Sequence, residues 1–489
     1  TARPNEHVMV KLKMVDQASR PRRSHAAKPT ASGGYCIRPD PRKAQVDLVS
    51  DVVLALQCVE LKPDNPQEAP CARSGHIGFL AGATPLHNAA VMVWGGGPPG
   101  DSYMNEMHAL DVASMTTHDT YTWHRGLPDW IRRSAGGHGK NKSKWLETVA
   151  RRTAVSHPLS RQGASCTVFG NCAVIFGGFD GVSVFFDDVQ VFHTEALVWL
   201  KVTVDGDEHD RPRGRRDHAC CALGYTMILH GGFDGILNQD VDPEFFMDDM
   251  WELDCSSLAG VGADPPETPL RVSWRRSIVK AGRYLPTARA GHTLTPLPTE
   301  PPQTAMVLLF GGVGPKLTFM NDRRVMQQIE KKLVPEGQEE AEQALAWRWR
   351  QLKTNEPPSP RSHHTLTQVG PRLLLIGGWD GKVLGDIHSL DLVKMSWTQV
   401  TSSGVMPPPR CGHTAVKLLG QRLIIFGGCL GNTEGYLDDA WMCIWVRSNA
   451  DVGGVRQHEG SEDDEAGERQ PDTEGPAEAA AGVHFEDIT

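Results

Sequence analysis

Hydrophobic and polar positions change in short bursts along this chain, and the clearest burst runs from Pro360 to Val400. Leu373, Leu374, Leu375 and Ile376 form a continuous apolar run, the length of a strand buried on both faces rather than of a helix. Gly377-Gly378 ends it, where a positive φ or a close backbone approach excludes a Cβ. Asp380-Gly381 is turn chemistry. Beyond it Ile387, Ser389 and Asp391 alternate with His388 and Leu390, the period of a strand, and Trp397 anchors a last strand. Four short antiparallel strands in about forty residues have the size of one propeller blade.

The pattern is written six times. Glycine pairs fall at Gly95-Gly96, Gly177-Gly178, Gly231-Gly232, Gly311-Gly312, Gly377-Gly378 and Gly427-Gly428. Ahead of them Arg-x-x-His appears as Arg73/His76, Arg215/His218, Arg289/His292, Arg361/His364 and Arg410/His413, while the second copy keeps Arg161 with Ala164 in the histidine place. Behind each glycine pair an acidic or amide pair opens a strand: Asn105-Glu106, Asp187-Asp188, Asp248-Asp249, Asn321-Asp322, Gly385-Asp386 and Asp438-Asp439. Closing tryptophans stand at Trp123, Trp199, Trp274, Trp349 and Trp397.

These repeats resemble the Kelch-repeat family. The resemblance implies an all-β fold, a six-bladed Kelch β-propeller over residues 51–448. Val91 to Trp94, Cys172 to Phe176 and Thr226 to His230 are expected as inner strands. The sixth repeat offers only Ala440 to Val446 after its acidic pair, so Asp51 to Leu61 is expected to complete the last blade and leave no open seam. Two insertions interrupt the repeats. Residues 127–160 form an oversized connection carrying Arg132, Arg133, Lys140, Lys142, Lys144, Arg151 and Arg152 against Asp129 and Glu147. Loops of that length are functional or disordered, and 142–152 has the pattern of a short helix with Trp145 on one side. Residues 323–346 also read as helical, since Val325, Ile329 and Leu333 are spaced four apart.

Charge separates the ends from the body. Residues 1–50 carry ten Lys/Arg against four Asp/Glu, and residues 451–489 carry two against twelve, within a net charge of −9. The first stretch is a basic extended arm. Its Val8 to Val15 alternation suits either a loose terminus or a strand that orders on a partner's sheet edge. The last, residues 449–489, is expected to be a disordered acidic tail, poor in apolar surface, with Val483-His484-Phe485 as its one apolar cluster. Eleven cysteines occur without Cys-x-x-Cys, which reads as reduced thiols in an intracellular setting, cytoplasmic or cytoskeletal and ciliary. An organellar site stays open because the chain starts at Thr1. No apolar run approaches the ~20 residues that cross a bilayer.

The chemistry that the residues offer is mostly structural. Arginine and histidine that recur once per blade are expected to bridge neighbouring blades and satisfy buried carbonyls or carboxylates. Arg73, Arg161, Arg215, Arg289, Arg361 and Arg410 make that set, with Gly178, Gly232, Gly312, Gly378 and Gly428 as conformationally required glycines. No zinc-protease histidine pair, phosphate-binding Gly-Lys-Ser/Thr loop or Gly-x-Ser-x-Gly elbow is present. No enzyme activity, metal, cofactor or small-molecule substrate is therefore expected, a Kelch-type metal enzyme being the minor alternative. Nucleic acid is a partner only through charge on the basic arm.

The remaining reading is a protein–protein interaction scaffold. The resemblance implies a binding face built from the loops after the glycine pairs and those leading into each Arg-x-x-His. Phe179, Asp180, Asp217, Phe233, Asp234, His363, Trp379, Asp380 and Leu430 belong there, with the basic loop as a docking element. Two residues beyond each repeat arginine stand Gly75, Gly163, Asp217, Gly291, His363 and Gly412. Some Kelch proteins carry arginines there that grip acidic peptides, and their absence here argues against that ligand. A fixed subunit of a cytoskeletal, ciliary or organellar assembly is the second reading.

Overall fold

The structure, a computed structural model, describes residues 54–81, 89–97, 103–111, 120–125, 157–235, 243–262, 265–298, 305–329, 346–401, 404–418, 421–431 and 435–447. The basic arm, the acidic tail and the docking-loop residues Arg132, Arg133, Lys140, Lys142, Lys144, Trp145, Arg151 and Arg152 lie outside this set.

Six blade sheets follow one another along the chain, antiparallel apart from a fifth strand paired parallel at the outer edge of three of them. In blade five, Thr365–Val369 pairs with Arg372–Trp379, then Val383–Asp391, then Ser396–Gln399. The first strands of the blades, from Ile77–Ala81 round to Thr414–Lys417, touch each other in a closed ring and line the axis. They alternate buried and part-exposed residues, as in Ile77–Ala81 and Ser165–Phe169, the mark of a strand with one free face. Ala90–Trp94, Cys172–Phe176 and Met306–Phe310 are buried throughout. The apolar runs singled out as inner strands therefore stand second from the axis. Both of their faces are covered by neighbouring blades, which explains their continuous hydrophobicity.

In blades three, five and six the glycine pair is a bulge. Register shifts fall between His230 and Gly232, between Ile376 and Gly378, and between Phe426 and Gly428. The strand bends there and releases the chain to the loop face. Each closing tryptophan lies on a fourth strand, and all five are buried. In blade six the fourth position belongs to Leu54–Pro63, paired antiparallel with Tyr436–Arg447 from Leu54↔Arg447 to Leu61↔Ala440.

One element departs from the sequence pattern. Arg323–Ile329 is a strand between Met306–Phe310 and Ala346–Gln351, not the start of a helix. A spacing of four is also a multiple of two, so Val325 and Ile329 share a strand face as readily as a helix face. The ladder on both sides decides the case. Residues 330–345 lie outside the described set.

Candidate functional site

The repeat residues build a frame before anything binds. Every repeat arginine is almost fully buried. Its guanidinium Nη1 donates to the carbonyl of the first glycine in its own blade, as Arg361 does to Gly377 at 3.1 Å, and Nε donates two residues back along the chain, to Ser359 at 3.1 Å. In blades two to six it also holds the second residue of the acidic pair: Asp188, Asp249, Asp322, Asp386 and Asp439. Blade one differs, for Glu106 pairs with Arg125 and Arg73 reaches Cys71 instead.

Links between blades come from other groups. The arginine carbonyl accepts from the second glycine N–H of the preceding blade all round the ring, from Gly96→Arg161 to Gly428→Arg73, at 2.8–2.9 Å. A Cβ on the first glycine would lie 2.4–2.9 Å from that same oxygen. The side chain that crosses between blades is the histidine. His76 meets Thr414, His218 meets Ser165, His364 meets Thr293 and His413 meets Thr365, through Nε2. His292 meets His230 instead, because the position after His218 is Ala219. The expectation that arginine side chains bridge blades is thus corrected: the guanidinium hydrogen-bonds within its own blade, and the histidine spans to the blade before it.

Above this frame lies the throat of the propeller. The third residue of each Arg-x-x-His motif donates its N–H to the carbonyl of its counterpart one blade back. Gly163→Gly75, Asp217→Gly163, Gly291→Asp217, His363→Gly291, Gly412→His363 and Gly75→Gly412 close a ring at 2.7–2.9 Å. All of these residues have φ between 52° and 67°, which is why glycine holds four of the positions. Asp217 and His363 carry side chains there at the cost of strain. A Cβ on Gly163 would lie 2.7 Å from Asp217, and one on Gly291 would lie 2.9 Å from the His363 ring. The glycines leave room for the two side chains to face each other, with His363 Nε2 3.7 Å from Asp217 Oδ2. Burial opposes charge on both groups, but their mutual attraction wins. His363 is raised above its ordinary value, and Asp217, also helped by Arg216, falls to about 2. The pair sets a base against a carboxylate at the channel mouth, and each favours the charged form of the other.

The chain matches the KLHDC2/KLHL20/DRC7 Kelch-repeats domain over residues 31–260 and 268–448. It belongs to the Kelch-repeat family. Adagio-like protein 3 of Oryza sativa subsp. japonica is 32% identical over 239 residues, 48% of this chain and 31% of the relative. Host cell factor 2 of Homo sapiens is 25% identical over 300 residues, 58% and 33% respectively. Acyl-CoA-binding domain-containing protein 4 of Arabidopsis thaliana is 42% identical over 83 residues, 16% and 12%. The chain spans about a third or less of the length of these curated relatives.

Around the throat of this Kelch propeller runs a rim of two-residue bridges. The second residue of each Arg-x-x-His motif pairs with the residue after the glycine pair: Ser74↔Gly97, Gln162↔Phe179, Arg216↔Phe233, Ala290↔Val313, Ser362↔Trp379 and Cys411↔Cys429. Phe179 and Phe233 are buried, the first stacked on Phe185 and the second tilted against Phe246. Their rings support the loops and offer no contact surface, which corrects the expectation for those two. Asp180 folds its own loop, accepting N–H groups of Val182, Ser183 and Val184 at 2.8–2.9 Å. Asp234 meets Arg213 at 3.1 Å. Trp379, Asp380 and Leu430 are half-buried on the loop side.

Several rim residues carried no signal of their own. Arg216 lies between Phe179 and Phe233, 5.3 and 5.6 Å from the ring centres. Tyr103 lies against Gly97 and Gly181, where a Cβ would overlap its ring, and receives Gln162 Nε2 at 2.5 Å. Arg216, Gln162 and Cys411 were legible as second residues of the motif, read beside the residue after Gly-Gly. Tyr103 was not, because it sits in a connection outside the repeat.

Proposed function

We propose that this protein is a non-enzymatic interaction scaffold that receives a polar segment of a partner protein at the channel mouth. The observation that carries the reading is the throat pair. Four of the six throat positions are glycine, and the other two present an acid and a base, strained and flanked by Arg216, Gln162 and Tyr103. A ring that needs only glycine to close has no folding use for these two side chains. Kelch propellers are in general non-enzymatic, and the repeat arginines, histidines and carboxylates here are occupied by the frame. Trp379, Asp380 and Leu430 would contact the partner further out. The basic loop, with its excess of Lys/Arg, would add a second, salt-sensitive attachment.

The test exploits the glycines. In a chain carrying Asp217→Gly and His363→Gly together, each throat position keeps a residue native to its counterparts, so the melting temperature should stay within about 4 °C of wild type. Affinity capture from the native source, compared by quantitative mass spectrometry, should lose the partners held at the mouth. Partners held by the loop alone should instead be lost when residues 129–157 are replaced by a Gly/Ser linker. An unchanged set of partners for the throat variant would refute the reading.

A further inference from the structure

Blade six places two cysteines where every other blade has a different pair. Cys411, after the repeat arginine, and Cys429, after the glycine pair, face each other across the rim bridge. Their backbones exchange both hydrogen bonds, Cys411 N–H to Cys429 O at 3.1 Å and Cys429 N–H to Cys411 O at 2.8 Å. Antiparallel residues paired this way have Cα atoms about 5.5 Å apart, at the mode of disulfide geometry. The sulfurs are 3.0 Å apart. Cys411 is buried and Cys429 half-buried. The hydrogen bond between Cys411 and Cys429 holds the Cys429 thiol below its ordinary value against the opposing effect of burial, with the Gly431 backbone and His363 assisting. One sulfur is thus the more reachable and the more acidic, and the other stands behind it as a second nucleophile.

We propose that Cys411 and Cys429 form a reversible redox couple at the rim of the channel mouth, oxidised by peroxide to an intrablade disulfide. The Cys429 thiolate attacks one peroxide oxygen, the O–O bond breaks, and hydroxide leaves to take up a proton. Cys429 is then a sulfenic acid. Cys411 sulfur attacks the Cys429 sulfur, the S–O bond breaks, and water leaves with the Cys411 proton. In sum two thiols and one hydrogen peroxide give one disulfide and two waters. A dithiol reductant reverses the step by thiol–disulfide exchange. The couple does not depend on what the face binds.

Another thiol pair supplies an internal comparison. Cys58 and Cys443 lie 2.7 Å apart between the N-terminal strand and blade six, but both are buried. Closeness alone would favour that pair, whereas access and thiolate character favour Cys429. The full chain is treated with hydrogen peroxide, alkylated, digested and read by mass spectrometry. The expected product is a disulfide-linked peptide joining 411 to 429, removed by dithiothreitol. In Cys411→Ser, a dimedone adduct should accumulate at Cys429, since nothing resolves the sulfenic acid. In the untreated protein at mildly acidic pH, iodoacetamide should label Cys429 before Cys411, since its thiol is the more exposed and the more acidic of the two. Peroxide that links Cys58 to Cys443 first, or that leaves 411 and 429 as free thiols in wild type, would overturn the proposal.

Discussion

His363 is the one throat histidine among a set that the fold keeps neutral. Burial pushes His76, His218, His230 and His364 down to about 3, and His292 and His413 well below their ordinary value. His363 moves the other way because Asp217 faces it. A raised folded pKa means the pair's stabilisation is complete below the unfolded value of about 6.5 and is lost as pH rises through the folded one. In an NMR titration the His363 ring should therefore show a midpoint above 6.5, and Asp217→Asn should bring it down, because burial and Arg216 then act without the opposing carboxylate. A midpoint at or below 6.5, indifferent to Asp217→Asn, would exclude the ion pair. The glycine pair makes a second residue-scale claim. Gly378 has φ of 114°, and a Cβ there would lie 2.8 Å from Ser362 O, whereas Gly381 at 108° has open space around it. Gly378→Val should lose folded protein in expression and melting assays, with backbone strain of about 1–3 kcal/mol plus the clash. Gly381→Ala meets only the strain and should remain folded. Asp217 and His363 were legible in the sequence as departures from glycine in a counted position. Their mutual contact was not, because it spans two blades and depends on Gly291 between them.

Strands were legible wherever a short apolar run ended at Gly-Gly, since burial on both faces and a bulge leave marks that no helix shares. The third strand of blade four was not legible, because Val325 and Ile329 satisfy both periods and only the ladders beside them decide. Ambiguity of that kind belongs to elements whose neighbours, not their own residues, set the conformation. Leu54–Pro63 shows the same dependence at the level of the blade. Leu56 and Cys58 pack with Leu423, Ile425 and Trp441, and Leu61 packs with Val416 and Phe426. Each apolar side chain of that size contributes about 1.5–3 kcal/mol, and the strand covers the edge of Tyr436–Arg447. Deleting residues 1–61 should lower the melting temperature of the whole propeller, while deleting 1–45 should leave it nearly unchanged. Equal melting of the two truncations would show that the strand is not needed to complete blade six.

At the scale of the molecule, five of the six blade junctions carry the histidine contact. The exception is the junction of blades one and two, where Ala164 stands in the histidine position and Ile77 in the hydroxyl position. The junctions form a closed ring, so losing one exposes the faces of both neighbours, and failure should spread. Protonation supplies a common trigger. These histidines have folded pKa values far below the unfolded 6.5, so the unfolded chain binds protons that the folded one refuses. Stability must therefore fall as pH drops below about 6.5, by about 1.4 kcal/mol per pH unit for each histidine once it is well below that value. The carboxylates held by the repeat arginines also have depressed values, as for Asp249, Asp322 and Asp386. Their contribution is lost only below the ordinary carboxylate range, so pH 6.5 to 4.5 is mainly a histidine window. Chemical denaturation across that window should give a steep fall in stability with one cooperative transition. His364→Gln keeps a donor toward Thr293 without the titration, so it should flatten the slope by about one proton even if it lowers stability at neutral pH. A slope that His364→Gln leaves unchanged, or a stability flat from pH 6.5 to 4.5, would mean that the junction histidines are not held neutral in the ring.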